Sequence, residues 1–266
     1  MSRKTLWGVL CLLAVGGAAL LQSASRPLFN SNQKAFYADE KTVNFVRPGL
    51  VFKITNTTIA SDGTVTTRFR MTDPAGLPLD RDGILTPGTV STTFILAKIP
   101  KGGSAYEAYT QRVKTSAYPP TLGLTARQAG ADSGGRFVKV ADGEYDYIFG
   151  TKLPATYAKD ATHTVAAYGS RNLAEFDLGT YYGNALHTFV PDGTAVKDVR
   201  DVINEQSCNA CHDELAFHGG SRRGLEYRHA HCGTELRTGR CEPEGAYADQ
   251  AGLRPELLGR ADYLRN

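Results

Sequence analysis

The segment Thr64–Thr72 limits the fold most. Val65, Thr67, Phe69 and Met71 alternate with Thr66, Arg68 and Arg70. A period of two belongs to a strand with one buried face and is incompatible with a helix. Ahead of it, Leu50–Thr58 carries Val51, Phe52 and Ile54, and Ser61-Asp62-Gly63 supplies a turn. Asp-Gly tolerates the positive φ angles that tight hairpins demand. The same grammar returns where Arg136–Val140 meets Glu144–Phe149 across Ala141-Asp142-Gly143, with Tyr145, Tyr147 and Phe149 on one face. Thr92–Ile99, His163–Tyr168 and Ala185–Val190 are further strands, the last stopped by Pro191-Asp192-Gly193. No amphipathic helix stands among them. Asp73–Gly88 and Lys101–Asp132, rich in Pro, Gly and Ser, read as long surface loops. The expectation is a mainly β domain over 43–205, built as a sandwich or as a Greek-key or split β-barrel.

Two function classes fall away on composition. Thirty basic and 27 acidic residues give a formal charge of +3, too balanced for a nucleic-acid binder, which needs a clustered basic stripe. Five cysteines in 266 residues are too few for a disulfide scaffold.

The first 25 residues read as an address. Arg3 and Lys4 open a positive start, an apolar run follows from Leu6 to Leu21, and Ser23 and Ser25 precede a cut before Arg26. This is the order of a secretory signal peptide, with an uncleaved N-terminal anchor as the alternative. Arg3 and Lys4 are the only charges in that segment, so its removal lowers the formal charge from +3 to +1. The expected location is outside the cytoplasm, in the periplasm or at the outer membrane or cell surface.

One motif carries chemistry. Cys208-Asn209-Ala210-Cys211-His212 is C-x-x-C-H, the attachment pattern of c-type haem. Two thiols three positions apart can add to the two vinyl groups on one porphyrin edge, and the adjacent His212 then becomes the proximal iron ligand. The cofactor expected is at least one covalent haem c. Ser207 caps, and Gly219-Gly220 ends, a short helix running through Leu215-Ala216-Phe217. Two other readings stay open: a Cys208–Cys211 disulfide, and a zinc site completed by Cys232, Cys241 or nearby histidines. A thioredoxin-like pair lacks the βαβ unit that should precede it.

The sixth ligand can be narrowed. The only methionines are Met1, which leaves with the signal, and Met71, which sits mid-strand facing inward. Bis-histidine ligation and a low potential follow. His218 lies six residues past His212, a rise of about 9 Å on a helix, awkward for the opposite face of one ring. It therefore suits a neighbouring haem. His163, His187, His229 and His231 are the other candidates.

Together these features resemble the outer-membrane decahaem c-type cytochrome family of the OmcA/MtrC type. The residues that carry the resemblance are Phe52–Thr58, Phe69-Arg70-Met71-Thr72-Asp73, Tyr145-Asp146-Tyr147 and Thr162-His163-Thr164-Val165. Most specific is Cys208-Asn209-Ala210-Cys211-His212-Asp213-Glu214-Leu215 followed by His218-Gly219-Gly220. The similarity spans roughly residues 44–227. It implies an N-terminal Greek-key or split-barrel domain, then the start of a multihaem domain over 206–227. It also implies Cys208, Cys211 and His212 as haem residues and His218 as an axial ligand to a nearby haem. The implied partners are other redox proteins or an outer-membrane porin–cytochrome complex, with external metal or flavin acceptors. The implied activity is electron transfer rather than enzymatic turnover.

The resemblance stops at residue 227. No second C-x-x-C-H follows, and 220–266 holds eight arginines and no lysine, against eleven of each in 1–219. From Arg228 onward there is no Val, Ile or Phe to nucleate a core. The expectation is that 228–266 is out of frame, or else a divergent polar tail. The competing function is an exported β-sandwich binding module with a zinc or disulfide knot. A hydrolase lacks support, because neither G-x-S-x-G nor H-E-x-x-H occurs.

Overall fold

The computed structural model describes residues 28–115, 123 and 125–200, and the backbone at 216–217 and 222–223. The candidate signal 1–25 and the tail 228–266 lie outside the described residues. The chain divides into two compact units, Met1–Tyr37 and Ala38–Asn266. In the first, the described part holds one 3-10 turn, Lys34–Phe36, with the Phe36 and Tyr37 rings edge to face at 5.0 Å.

The second unit opens with helix α1 (Glu40–Val46). The Asp39 carboxylate accepts the Thr42 amide at 2.9 Å, satisfying one of the N–H groups that a first turn leaves open. Arg47 ends the helix in the left-handed region, at φ 52°. The sequence reading starts the β domain at residue 43, inside this helix. Seven residues are too few for periodicity to announce α1, so only its cap marks it.

Strands β1 (Val51–Ile59) and β2 (Val65–Thr72) form the expected hairpin. Its turn is the expected one: Gly63 has φ 79°, and the Thr64 amide donates to the Asp62 carboxylate at 3.0 Å. Then come β3 (Val90–Ile99), β4 (Glu107–Ala108), β5 (Gln111–Thr115), β6 (Thr125–Ala129), β7 (Arg136–Ala141) and β8 (Glu144–Ile148). Two long strands follow, β9 (Thr162–Asn172) and β10 (Thr180–Phe189). Every pairing is antiparallel. One sheet runs β1-β2-β8-β7 and the other β10-β9-β3-β4, and neither closes into a barrel. The expectation of a mainly β sandwich holds.

Alternation explains the core between the sheets. Val65, Thr67, Phe69 and Met71 of β2 are all fully buried, as are Leu96 of β3 and Val165 of β9. The Phe69 and Phe94 rings meet edge to face at 5.1 Å, and Phe94 stacks on Tyr147 at 4.2 Å, tying one sheet to the other. Burying one such ring contributes roughly 1.5–3 kcal/mol. On the outer face of β2, Arg68 instead forks onto Asp146 of β8 through two hydrogen bonds of 2.8 and 2.9 Å.

The loop read over Lys101–Asp132 is corrected by the structure, since β4, β5 and β6 lie within it. β5 and β6 pair from Gln111↔Ala129 to Thr115↔Thr125 as a largely exposed ribbon. With neither face buried, nothing selects an apolar alternation, so the strands leave no pattern to read. Asp73–Gly88 is irregular as expected. Asp80 organises it: its carboxylate accepts the Ile84 and Leu85 amides at 2.6 and 3.0 Å and the Tyr145 hydroxyl at 3.2 Å.

Glycine decides how closely β1 meets the second sheet. Gly169 of β9 and Gly183 of β10 are directly paired, and the Phe52 ring lies over both. A Cβ at Gly183 would stand 2.9 Å from Phe52, and one at Gly169 would overlap the Ser91 carbonyl oxygen. Because that neighbour is backbone in an adjoining strand, it cannot swing aside. Gly169→Ala is expected to cost roughly 1–3 kcal/mol, read as a lower denaturant midpoint at unchanged m-value. An unchanged midpoint would count against this packing. Among the described residues, no helix is long and apolar enough to cross a membrane.

Candidate functional site

Cys208, Cys211, His212 and His218 lie outside the described residues, as do Cys232, Cys241, His229 and His231. The backbone on either side of His218 is described. Ala216–Phe217 (β11) and Arg222–Arg223 (β12) pair antiparallel, with Ala216↔Arg223 and Phe217↔Arg222 in register. The short helix expected through Leu215-Ala216-Phe217 is therefore corrected at Ala216 and Phe217 to a strand. Gly219-Gly220 suits a hairpin turn as well as a helix end, and two residues gain more from a ladder partner than from half a helical turn. The β12 backbone runs beside β10, with Cα atoms within 8 Å.

Two candidate axial histidines are described, and their surroundings differ sharply. His163 is fully buried on β9. Its Nδ1 lies 2.9 Å from the Ala161 carbonyl and its Nε2 lies 3.0 Å from the Tyr109 hydroxyl. A carbonyl can only accept, so Nδ1 carries the proton, and Nε2 accepts from Tyr109. Burial pushes the Tyr109 phenol up to about 12, which keeps it a donor. Rings enclose the imidazole: Tyr109 stacks at 5.5 Å, and Tyr157 and Phe189 lie at 5.8 and 5.9 Å. Both nitrogens are committed, so His163 serves the core rather than a metal. Met71, buried between the sheets, is likewise unavailable.

Burial pushes the His163 imidazole below its ordinary value, against the Ala161 hydrogen bond, which raises it. The unfolded chain therefore binds the proton first as pH falls. This contribution to stability is complete above the unfolded value of about 6.5 and declines from there toward the folded one. His187 acts in the same direction, also through burial. Urea midpoints should fall as pH drops below about 6.5, and His163→Gln should flatten part of that slope. Equal slopes in the two proteins would remove His163 from the account.

His187 is half-buried on β10, opposite Val165 of β9. It shares a face with Ala185 and Phe189, and its ring stacks on Phe189 at 5.4 Å. Neither ring nitrogen has a hydrogen-bond partner among the described residues. Burial keeps the imidazole neutral at pH 7, the form a metal requires.

Sequence reasoning missed Tyr109 and Tyr157, which close the box around His163. Tyr109 sat in a stretch read as loop, and nothing local signals that β4 carries it to β9. A depression of about 370 Å³ opens where β9 begins and β10 ends, lined by Lys101, Asp160, Thr162, Val190, Asp192 and Asp198. Three of its charged side chains already have partners. Lys101 pairs with Asp160 at 2.9 Å, and the Gly102 amide donates to Asp198 at 3.2 Å. No cluster of three or more His, Cys, Asp or Glu fit to hold a metal occurs among the described residues.

No protein-family model and no curated protein matches the chain. Among solved structures, the chain is similar to MtrC from Shewanella baltica, at 23% identity and a TM-score of 0.47. That match covers 68% of this chain and 29% of the other, so the chain spans less than a third of that neighbour. It is also similar to the cell-surface chitinase ChiW from Paenibacillus, at 11% identity, TM-score 0.26, and 54% and 8% coverage. A conjugative transposon lipoprotein from Bacteroides eggerthii follows, at 10% identity, TM-score 0.21, and 53% and 95% coverage.

Proposed function

We propose that this chain is an exported electron-transfer protein of the c-type cytochrome class, with haem held covalently at Cys208 and Cys211 and ligated by His212. The observation that carries the reading is the pentapeptide Cys208-Asn209-Ala210-Cys211-His212, placed after a β domain and behind a signal-like N-terminus. When bound, the haem supplies a ferric–ferrous one-electron couple, with no substrate bond made or broken. The residues around it have separate tasks. Cys208 and Cys211 anchor the group so that it cannot dissociate after export. His212 would ligate the iron, and Met71, packed in the core, would not be available to it. In the β domain, the polar atoms of His163 and the Asp80 carboxylate are hydrogen-bonded internally.

The sequence resemblance supplies the partner classes: redox proteins or a porin–cytochrome complex at the outer membrane, and metal or flavin acceptors outside it. His218 then serves a neighbouring haem. Haem staining after denaturing electrophoresis, with intact mass on the same sample, tests the reading. A stained band and a gain of about 616 Da per haem are expected, since thioether-linked haem survives denaturation. Colourless protein with Cys208 and Cys211 free, bridged to each other or holding zinc would overturn it in favour of a secreted sandwich with a knot at its end.

A further inference from the structure

We propose that Asp82-Gly83 is a site of spontaneous main-chain modification, at which the chain isomerises through a succinimide to isoaspartate. The reaction needs no partner but water. The Gly83 amide nitrogen attacks Cγ of Asp82 and forms the ring C–N bond, and its proton leaves with one carboxyl oxygen as water. Water then adds back at one ring carbonyl. Opening at the main-chain carbonyl leaves Gly83 joined through Cγ, so the mass is unchanged and the main chain is longer by one methylene.

Four Asp-Gly pairs stand in the chain, at 62–63, 82–83, 142–143 and 192–193, and the structure separates them. Glycine helps at each, since it has no Cβ to hinder the attack. What differs is the freedom of its amide. Gly63 donates its amide to the Ala60 carbonyl, and Gly193 donates to Val190, each at 3.0 Å. The amides of Gly83 and Gly143 have no hydrogen-bond partner among the described residues. Gly143 is nevertheless held on both sides. It closes the two-residue turn between β7 and β8, where Ala141 pairs with Glu144. It is buried, its carbonyl accepts the Met71 amide at 2.8 Å, and Lys139 ties Asp142 at 2.9 Å. Gly83 lies in no strand or helix, at φ 74°, and the side chain that follows, Ile84, is 83% exposed. Little packing there resists the rotation that brings nitrogen to Cγ. Asp82 does pair with Arg81 at 2.8 Å, but its side chain is 55% exposed, where such pairs restrain weakly.

Asp80 carries the modification inward. Its carboxylate accepts the Ile84 and Leu85 amides at 2.6 and 3.0 Å and the Tyr145 hydroxyl at 3.2 Å. A methylene inserted at residue 82 falls inside the stretch that these bonds span, and displaces the Ile84 and Leu85 amides from Asp80. A change in an exposed loop thereby reaches a ring of the core.

The test ages the full chain at neutral pH with mild warming. Peptide mapping then follows each Asp-Gly pair, with fragmentation that tells isoaspartate from aspartate. Asp82 should convert faster than Asp62 and Asp192 by roughly 2- to 10-fold, the factor that one hydrogen bond contributes. It should also outrun Asp142. In urea, where the fold is lost, the four rates should converge. Asp82→Glu should stop conversion at that position, because the six-membered ring it requires closes far more slowly. Aged protein should melt below fresh protein, and Asp82→Glu should lose most of that drop. Conversion of Asp62, Asp142 or Asp192 in the folded protein at or above the rate of Asp82 overturns the proposal. So does an Asp82 that stays unconverted when folded while all four convert together in urea.

Discussion

Arg171→Met is expected to lower folding stability by about 3–5 kcal/mol and the melting temperature by roughly 10 °C. Arg171 is fully buried, and none of its hydrogen-bond acceptors is a carboxylate. Its guanidinium gathers backbone carbonyls from three places. Nε donates to Pro87 at 2.9 Å, Nη2 to Val46 at 2.7 Å, and Nη1 to Arg47 at 2.6 Å and Gly49 at 3.3 Å. Val46 and Arg47 end α1, where carbonyls lack helical partners and the helix dipole is negative, so a cation belongs there. Burial pulls the guanidinium down to about 10, which still leaves it charged at neutral pH. Methionine fills much of the volume but strands the carbonyls of Val46, Arg47 and Pro87. Each buried acceptor left open costs about 1–3 kcal/mol, partly offset because the cation no longer has to be desolvated. Arg171→Lys keeps the charge but cannot present a planar fork to separate acceptors, so its loss should fall between parent and Met. Thermal melts of the three proteins give the order. A Met variant within 1 kcal/mol of the parent would show that water can replace the guanidinium.

Arg171 also marks the boundary of what could be read in advance. The β2 alternation, the Asp62-Gly63 turn and the shared face of Tyr145, Tyr147 and Phe149 were legible because each encodes one buried and one exposed side, or one tight turn. For β9 and β10 the sequence marks only His163–Tyr168 and Ala185–Val190, whereas the strands span Thr162–Asn172 and Thr180–Phe189. Gly169 and Arg171 in β9, and Tyr181, Tyr182 and Gly183 in β10, break the apolar rhythm for reasons of tertiary origin. The glycines admit Phe52, and the arginine reaches α1 and the Pro87 loop. No local pattern announces a cation whose partners are carbonyls over 80 residues away in sequence. The candidate site divides along the same line. Cys208, Cys211 and His212 are recognisable because spacing alone carries the attachment chemistry. That the imidazole of His163 is committed to the core depends on Tyr109, which closes its Nε2 from a stretch with no local signal of that contact. At Ala216 and Phe217 the local signals for a helix and for a hairpin coincide, and the ladder to Arg222 and Arg223 decided between them.

The double replacement Cys208→Ser with Cys211→Ser should abolish covalent haem altogether. Each thioether is one sulfur added to one vinyl group, and serine oxygen does not make that addition under the conditions that thiols do. The stain should vanish, and the intact mass should lose about 616 Da per haem beyond the small change from sulfur to oxygen. Each single replacement leaves one thioether, so haem should stay attached at lower yield. Its reduced spectrum in alkaline pyridine should shift to longer wavelength, because one vinyl group stays conjugated with the ring. This graded pattern separates the readings. A disulfide would be lost completely on removing either cysteine, and a zinc knot would lose metal in each variant without any colour at the start. The β domain should be indifferent to all three variants, because its described core is built from residues such as Phe69, Phe94 and Tyr147, far from the motif in sequence. Its melting temperature should stay within about 2 °C of the parent once the contribution of bound haem is allowed for. If the double variant still carried covalent haem, some other pair of side chains would be the anchor, and the pentapeptide would lose the role that its spacing assigns to it.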